Sequence, residues 1–147
     1  MENATQIMNE EIKQEMIVSK PNSLSLDGAN MCSLNADTPE ARAQLFNAMQ
    51  NPDHRFGDYF NKEIAITDII VEVVPMLNTE TGEYRECPRV ILVDVNGETY
   101  QAVSFGVYNA LKRLMFIYGP PHWDDPITIV PKQIGVKDRK ISTFSVK

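Results

Sequence analysis

A mainly β fold, five strands with one helix set between the third and the fourth, is what this 147-residue sequence predicts from residue 62 onward. Three observations predict it. Glu63–Leu77 alternates β-branched apolar residues with polar ones, Asn96-Gly97 divides two further apolar runs, and a single helical repeat precedes two last β-rich runs.

The elements follow in order. In "EIAITDIIVEVVPML", Ile66, Asp68, Ile70 and Glu72 fall on one face and Thr67, Ile69, Val71 and Val73 on the other, which predicts the second set as the core face. Asn78–Gly82, "NTETG", is a turn cluster before Tyr84. Asn-Gly favours a two-residue hairpin loop because the turn that suits strand twist needs positive φ at both central residues. Such a loop sets Val95 opposite Glu98, Val93 opposite Tyr100 and Ile91 opposite Ala102 on the core side. Leu92/Gln101 and Asp94/Thr99 then form a half-polar side, open to solvent or a ligand.

Ser104 suits an N-cap, and Val107, Leu111, Leu114 and Tyr118 make a helical stripe widened by Ala110 and Ile117. Asn109, Lys112 and Arg113 occupy its polar face, where the two cations read as solubility. Gly119-Pro120-Pro121 ends the helix. The runs "ITIVPKQI" and "KISTFSV" are joined by "GVKD".

Strand, strand, strand, helix, strand, strand is the order of the five-stranded Greek-key oligonucleotide-binding (OB) barrel. A ferredoxin-like domain would need a second helix that residues 64 to 147 do not offer. Ahead of the barrel, residues 1–36 read as an extension with a short helical segment at Asn9–Val18 and packing residues Leu24, Leu26 and Met31. Residues 37–61 read as a helix and linker packed on the barrel of residues 62–147. In "DTPEARAQLFNAMQNP", Thr38 suits the cap, Pro39 the first turn and Glu40 the positive end of the dipole, Ala41, Leu45, Phe46 and Met49 recur at helical spacing, and Asn51-Pro52 stops the run.

Net charge is −6, but its distribution matters more than its sum. Residues 1–60 carry 4 basic and 9 acidic residues, whereas Thr128–Lys147 sets Lys132, Lys137, Arg139, Lys140 and Lys147 against Asp138 alone. No window approaches the roughly 18 apolar residues of a membrane span, and the acidic N-terminal stretch does not resemble a signal peptide, so no membrane partner and a cytoplasmic location are expected. Cys32 and Cys87 have no neighbouring metal or redox pattern and read as buried thiols.

The best enzyme candidate is "PPHWDDP", where His122, Asp124 and Asp125 lie close together, but three such residues in a proline-bounded loop lack the partner ligands of a zinc site or a two-metal nuclease. No nucleophile elbow or triphosphate loop is present. Neither catalysis nor a cofactor is expected, and a metal-dependent nuclease is the weakest of the readings. Binding of single strands without sequence preference needs cations along a groove and ring faces for stacking. Tyr84, Arg89, Trp123, Lys132, Lys137, Arg139, Lys140 and Phe144 are the candidates, with the last hairpin, "PKQIGVKDRK", as their centre.

The spans "TPEARAQLFNAMQ", "GETYQAVSFGVYNALKRLMFIYG", "PITIVPKQI" and "RKISTFSV" resemble the single-stranded-DNA-binding proteins of tailed bacteriophages, including those that replicate by protein priming. The resemblance covers approximately residues 37 to 147. It implies an OB-like barrel that coats single-stranded DNA during phage replication, in the cytoplasm of the infected host. Many such proteins recruit partners through an acidic C-terminal tail; here the chain ends "KISTFSVK" and the acid lies in front, which makes the N-terminal part the expected place for contacts with replication proteins or for self-association. The alternative is a non-catalytic phage interaction or assembly module on the same barrel.

Overall fold

The computed structural model describes residues 30–147, so the helical segment expected at Asn9–Val18 and the packing residues Leu24 and Leu26 lie outside the described residues. In chain order the elements are β1 (Met31–Cys32), α1 (Pro39–Gln50), β2 (His54–Arg55), a 3-10 turn (Phe56–Tyr59), β3 (Ile64–Leu77), β4 (Tyr84–Asp94), β5 (Thr99–Val103), α2 (Phe105–Tyr118), β6 (Ile127–Val136) and β7 (Arg139–Val146). The strands form one curled mixed sheet in the order β2-β5-β4-β3-β6-β7, with β1 on β3. All pairs are antiparallel except β2 with β5. The architecture of the described residues is thus mainly β with two helices. The two short strands β1 and β2 are additions to the five expected, and carry too few residues for an alternation to reveal them.

Both helices start on side-chain caps. Thr38 Oγ1 accepts from the Ala41 amide at 3.0 Å, and Ser104 Oγ accepts from the Val107 amide at 3.2 Å. Helix α1 buries Leu45 and Ala48, while Phe46 points outward. Helix α2 buries Val107, Tyr108, Leu111, Leu114 and Met115. Burial raises the Tyr108 phenol above its ordinary pKa.

Strand β3 departs from simple alternation. Its pairing with β4 runs Ile66↔Asp94 and then Asp68↔Val93, so Thr67 is an extra residue in a bulge. The bulge moves Ile64 and Ile66 onto the same side as Ile69 and Val71, and all four join the main core with Val90, Leu92, Tyr100 and the α2 residues. The expected assignment of Ile66 to the opposite face from Ile69 is therefore corrected. The other side of β3 is not open either. Ile70 and Ile91 are covered by Cys32, Leu45 and Ala48, a second apolar layer between the sheet and α1. Cys32 and Cys87 are both free and buried, and burial pushes the Cys32 thiol up to about 11.

The β4–β5 hairpin has a different register from the one Asn96-Gly97 suggests. The pairs are Val93↔Thr99, Leu92↔Tyr100, Ile91↔Gln101 and Val90↔Ala102. The cause is Asp94, whose Oδ1 accepts from the amides of Asn96 at 2.8 Å and Glu98 at 3.0 Å, while the Gly97 amide donates to its carbonyl at 2.9 Å. Only Gly97 takes positive φ, 82°, so the loop is a turn followed by a glycine bulge rather than a two-residue loop. Asp94 Oδ2 also accepts from the Tyr100 hydroxyl at 2.7 Å. Burial first, then the hydrogen bond and charge of Asp94, hold that phenol well above its usual range.

Strands β5 and β7 do not pair. Helix α2 packs against β7 across this gap, and at Gly106 the approach is closest: a Cβ there would collide with the Ser142 carbonyl oxygen and lie 2.8 Å from Ile141 Cγ2. In the last hairpin Val136 pairs with Arg139, so Lys137-Asp138 is the turn and Gly135 belongs to β6 opposite Lys140, not to the loop.

Candidate nucleic-acid interface

The β6–β7 hairpin carries five of the expected residues. Lys137 sits at the turn with φ of 56°, and Arg139 and Lys140 follow on β7, all exposed. Register and alternation place Lys132, opposite Thr143, on the same side of the ribbon as Arg139, and Lys140 on the same side as Phe144. Lys132 Nζ reaches Asn61 Oδ1 at 3.3 Å. Phe144 is half-buried and packs on the core, with part of its ring lining a cleft.

That cleft, about 270 Å³ between α2 and β7, is the feature that the sequence did not announce. Asn109, Arg113 and Tyr118 from the helix face Thr143 and Phe144 from the strand. Beside it the last turn of α2 exposes Phe116 (84%), Ile117 (75%) and Tyr118 (50%). Neither Phe105–Tyr118 nor Arg139–Val146 contains an Asp or Glu; Lys112 and Arg113 stand on the helix and Lys140 on the Phe144 side of β7, Arg139 faces the other side of the ribbon, and Asp124 and Asp125 border the adjoining hollow that Tyr118 and Val146 also line. None of the four cations makes an ion pair among the described residues. Lys112 Nζ lies 5.1 Å from the centre of the Tyr108 ring. Lys112 and Arg113, read from the helix alone as solubility residues, stand on the helix that packs on β7, and Arg113 lines the cleft. A helix face read alone shows two cations, and only the packing of α2 on β7 adds the partner strand.

Three other expected residues are placed differently. Trp123 is 6% exposed, sits in the main core and donates its Nε1–H to the Gly119 carbonyl at 3.2 Å, so its ring offers no open face. Its backbone amide also donates to Thr67 at 2.9 Å, which pulls the loop after α2 onto the β3 bulge. Arg89, 14% exposed, spends its guanidinium on Glu72 at 2.6 Å and Gln101 at 2.8 Å. Tyr84 is well exposed but stands on β4, separated from β7 by β3 and β6, on a ribbon that carries Glu80, Glu83 and Glu86.

The His122 loop is pinned to the sheet. His122 Nδ1 lies 2.8 Å from Asp68 Oδ2, and Nε2 lies 3.4 Å from Asp124. The nearly buried Asp68 carboxylate also accepts from Ser33 Oγ and Thr67 Oγ1, each at 2.9 Å, tying β1, β3 and this loop together. Among the described residues no group of three or more His, Cys, Asp or Glu gathers in metal-binding geometry. Nor is any helix among them long and apolar enough to cross a membrane.

With the geometry in place, comparison with known proteins is decisive on family. The model of the Phi29-type family described as phage single-stranded DNA-binding protein matches residues 28–147. The chain belongs to that family. No curated protein and no solved structure matches the chain. Membership agrees with the resemblance carried by the helix α1 segment, the β5–α2 segment and the last hairpin, and it extends the matched span nine residues further toward the N-terminus than residue 37.

Burial makes one expectation specific. Trp123→Ala removes a large core side chain and should cost about 3–5 kcal/mol of stability. Chemical denaturation is the measurement, and single-strand affinity under fully folded conditions should be unchanged within about twofold.

Proposed function

We propose that this protein binds and coats single-stranded DNA during phage replication, without catalysis and with little sequence preference, in the cytoplasm of the infected host. The observation that carries the reading is the packing of α2 on β7: two neighbouring elements free of carboxylates, with Arg113 and Lys140 alongside Tyr118, Phe116 and Phe144 and Lys137 at the hairpin turn. Cations follow the phosphates, and rings stack on bases irrespective of their identity. Family membership supports single-stranded DNA as the partner.

The fold supports the same reading at a finer level. Five strands in the order β5-β4-β3-β6-β7, with α2 between the third and fourth in sequence, agree with an OB-like Greek-key barrel left open between β5 and β7. Residues 62–147 constitute that barrel in this proposal, with residues 37–61 as a packed helix and linker, and the acidic stretch before them as the region for contacts with replication proteins.

Fluorescence titration of labelled oligonucleotides at several salt concentrations tests the function. Log affinity should fall linearly with log salt, and single strands of different composition should bind alike and more tightly than duplex. Incubation with Mg²⁺ or Mn²⁺ should give no cleavage. Preference for duplex, or no binding at low salt, would overturn the DNA reading; cleavage abolished by Asp124→Ala would overturn the non-catalytic one.

A further inference from the structure

Among the described residues, the β3–β4 hairpin continues past the rest of the sheet. Strand β4 pairs with β5 only over Arg89–Val93, β6 pairs with β3 only at Ile64–Ile66, and β1 pairs with Ile70 and Val71, with Asn30 Oδ1 before it accepting from the Val73 amide at 3.0 Å. Among the described residues, Val74–Leu77 with Tyr84–Cys87 is therefore a two-stranded arm, capped by the turn at Asn78–Glu83. Its outer part exposes Met76, Leu77 and Tyr84. Glu80, Glu83 and Glu86 stand against one free guanidinium, Arg85, for a local charge of −2, since Glu72 and Arg89 neutralise each other. Arg85 lies over the Phe105 ring, 5.4 Å from its centre. No ion pair reaches the three carboxylates from any described cation.

An arm that is apolar and acidic is unsuited to DNA, because its carboxylates repel phosphates. It complements the exposed end of α2, which is apolar at Phe116, Ile117 and Tyr118 and carries Lys112 and Arg113 with no carboxylate in the helix. We infer that the arm of one copy docks against the α2–β7 cleft of a second copy, Leu77 and Tyr84 meeting Phe116, Ile117 and Tyr118 while Glu80, Glu83 and Glu86 face Lys112 and Arg113. Each copy has one arm and one cleft, so the contact is head-to-tail and propagates into short chains unless the rotation closes a ring. In the part that rests on the DNA reading, arm and single strand compete for one cleft: the arm imitates the ligand, and free protein is stored as a self-association that DNA disperses.

The contact is tested without DNA by sedimentation velocity of the full chain across a concentration series, at low salt and at about 1 M, where the screening length falls to about 3 Å. The expected result is concentration-dependent association at low salt that is lost at high salt. The triple exchange Glu80→Lys, Glu83→Lys, Glu86→Lys should lower the association constant at least tenfold, as should Lys112→Glu with Arg113→Glu. Mixing the two variants should restore it, because each then offers what the other's cleft or arm needs. All five positions are exposed, so both variants should keep the wild-type circular dichroism spectrum and melting curve. A monomer at every concentration in low salt, or a mixture that stays as dissociated as its parts, overturns the interface. Oligonucleotide that binds but leaves the assembly intact overturns the shared cleft. Oligonucleotide that does not bind at all defeats the DNA reading instead, and the mixing result still decides the interface.

Discussion

Replacing Lys137, Arg139, Lys140 and Arg113 together by alanine should lower the magnitude of the salt slope for single-strand binding by about 3, because each lost phosphate contact on a single strand removes about 0.7. All four are exposed and unpaired among the described residues, and exposed cations contribute little to folding, so the variant should melt as the wild type does. Tyr118→Ala provides the contrast. Its ring is half-exposed in the cleft, and removing it should cost about 1–3 kcal/mol of affinity while leaving the slope unchanged, since stacking releases no counterions. Titrations at four or more salt concentrations separate the two effects. A quadruple variant whose slope equals that of the wild type would move the phosphate track off this surface.

Gly106→Ala should be among the most destabilising single-methyl additions in the chain. Overpacking a core costs about 1–3 kcal/mol when side chains can yield, but here the obstruction is the Ser142 carbonyl, a backbone atom fixed in the β6–β7 ladder at Gln133↔Ser142. Relief requires α2 to lift from β7, which widens the gap between β5 and β7 and disturbs the seating of Val107 and Tyr108. The expected loss is about 3 kcal/mol, read from the denaturation midpoint at unchanged m-value. Gly135→Ala is the control: a Cβ there meets nothing within 4 Å, its φ is not positive, and stability should change by less than about 0.5 kcal/mol. Equal effects at the two glycines would mean that α2 does not approach β7 as described.

Local chemistry was readable where it acts within a few residues. Thr38 and Ser104 cap their helices as their hydroxyls suggest, and the carboxylate-poor last hairpin is visible in the string itself. What misled was chemistry that reaches sideways. Asn96-Gly97 is a sound signal for a two-residue loop, but Asp94 two positions earlier captures the Asn96 and Glu98 amides and changes the turn. Thr67 looks like one more residue in an alternating strand until the bulge makes it supernumerary. Trp123 lies among polar and proline neighbours that suggest exposure, yet the loop is drawn inward by its own amide on Thr67 and by His122 on Asp68. The cleft combines residues 106–118 with residues 143–146, and no periodicity within either segment carries information about the other.

Two apolar layers sharing one sheet divide β3 into halves with different freedom to change. At its centre Ile69, Ile70 and Val71 are wholly enclosed and stand opposite Leu92, Ile91 and Val90, equally enclosed, so neighbouring positions answer to different layers and none faces water. A replacement there alters the volume of at least one layer, and any compensating change must come from α1 or from α2, which do not share a core. A few residues further on, from Pro75 to Leu77, the same strand leaves both layers and its side chains are exposed. Substitutions accumulating in related genes would thus be rationed by position along a single strand, with the root held nearly invariant in size and the tip free to acquire new surfaces.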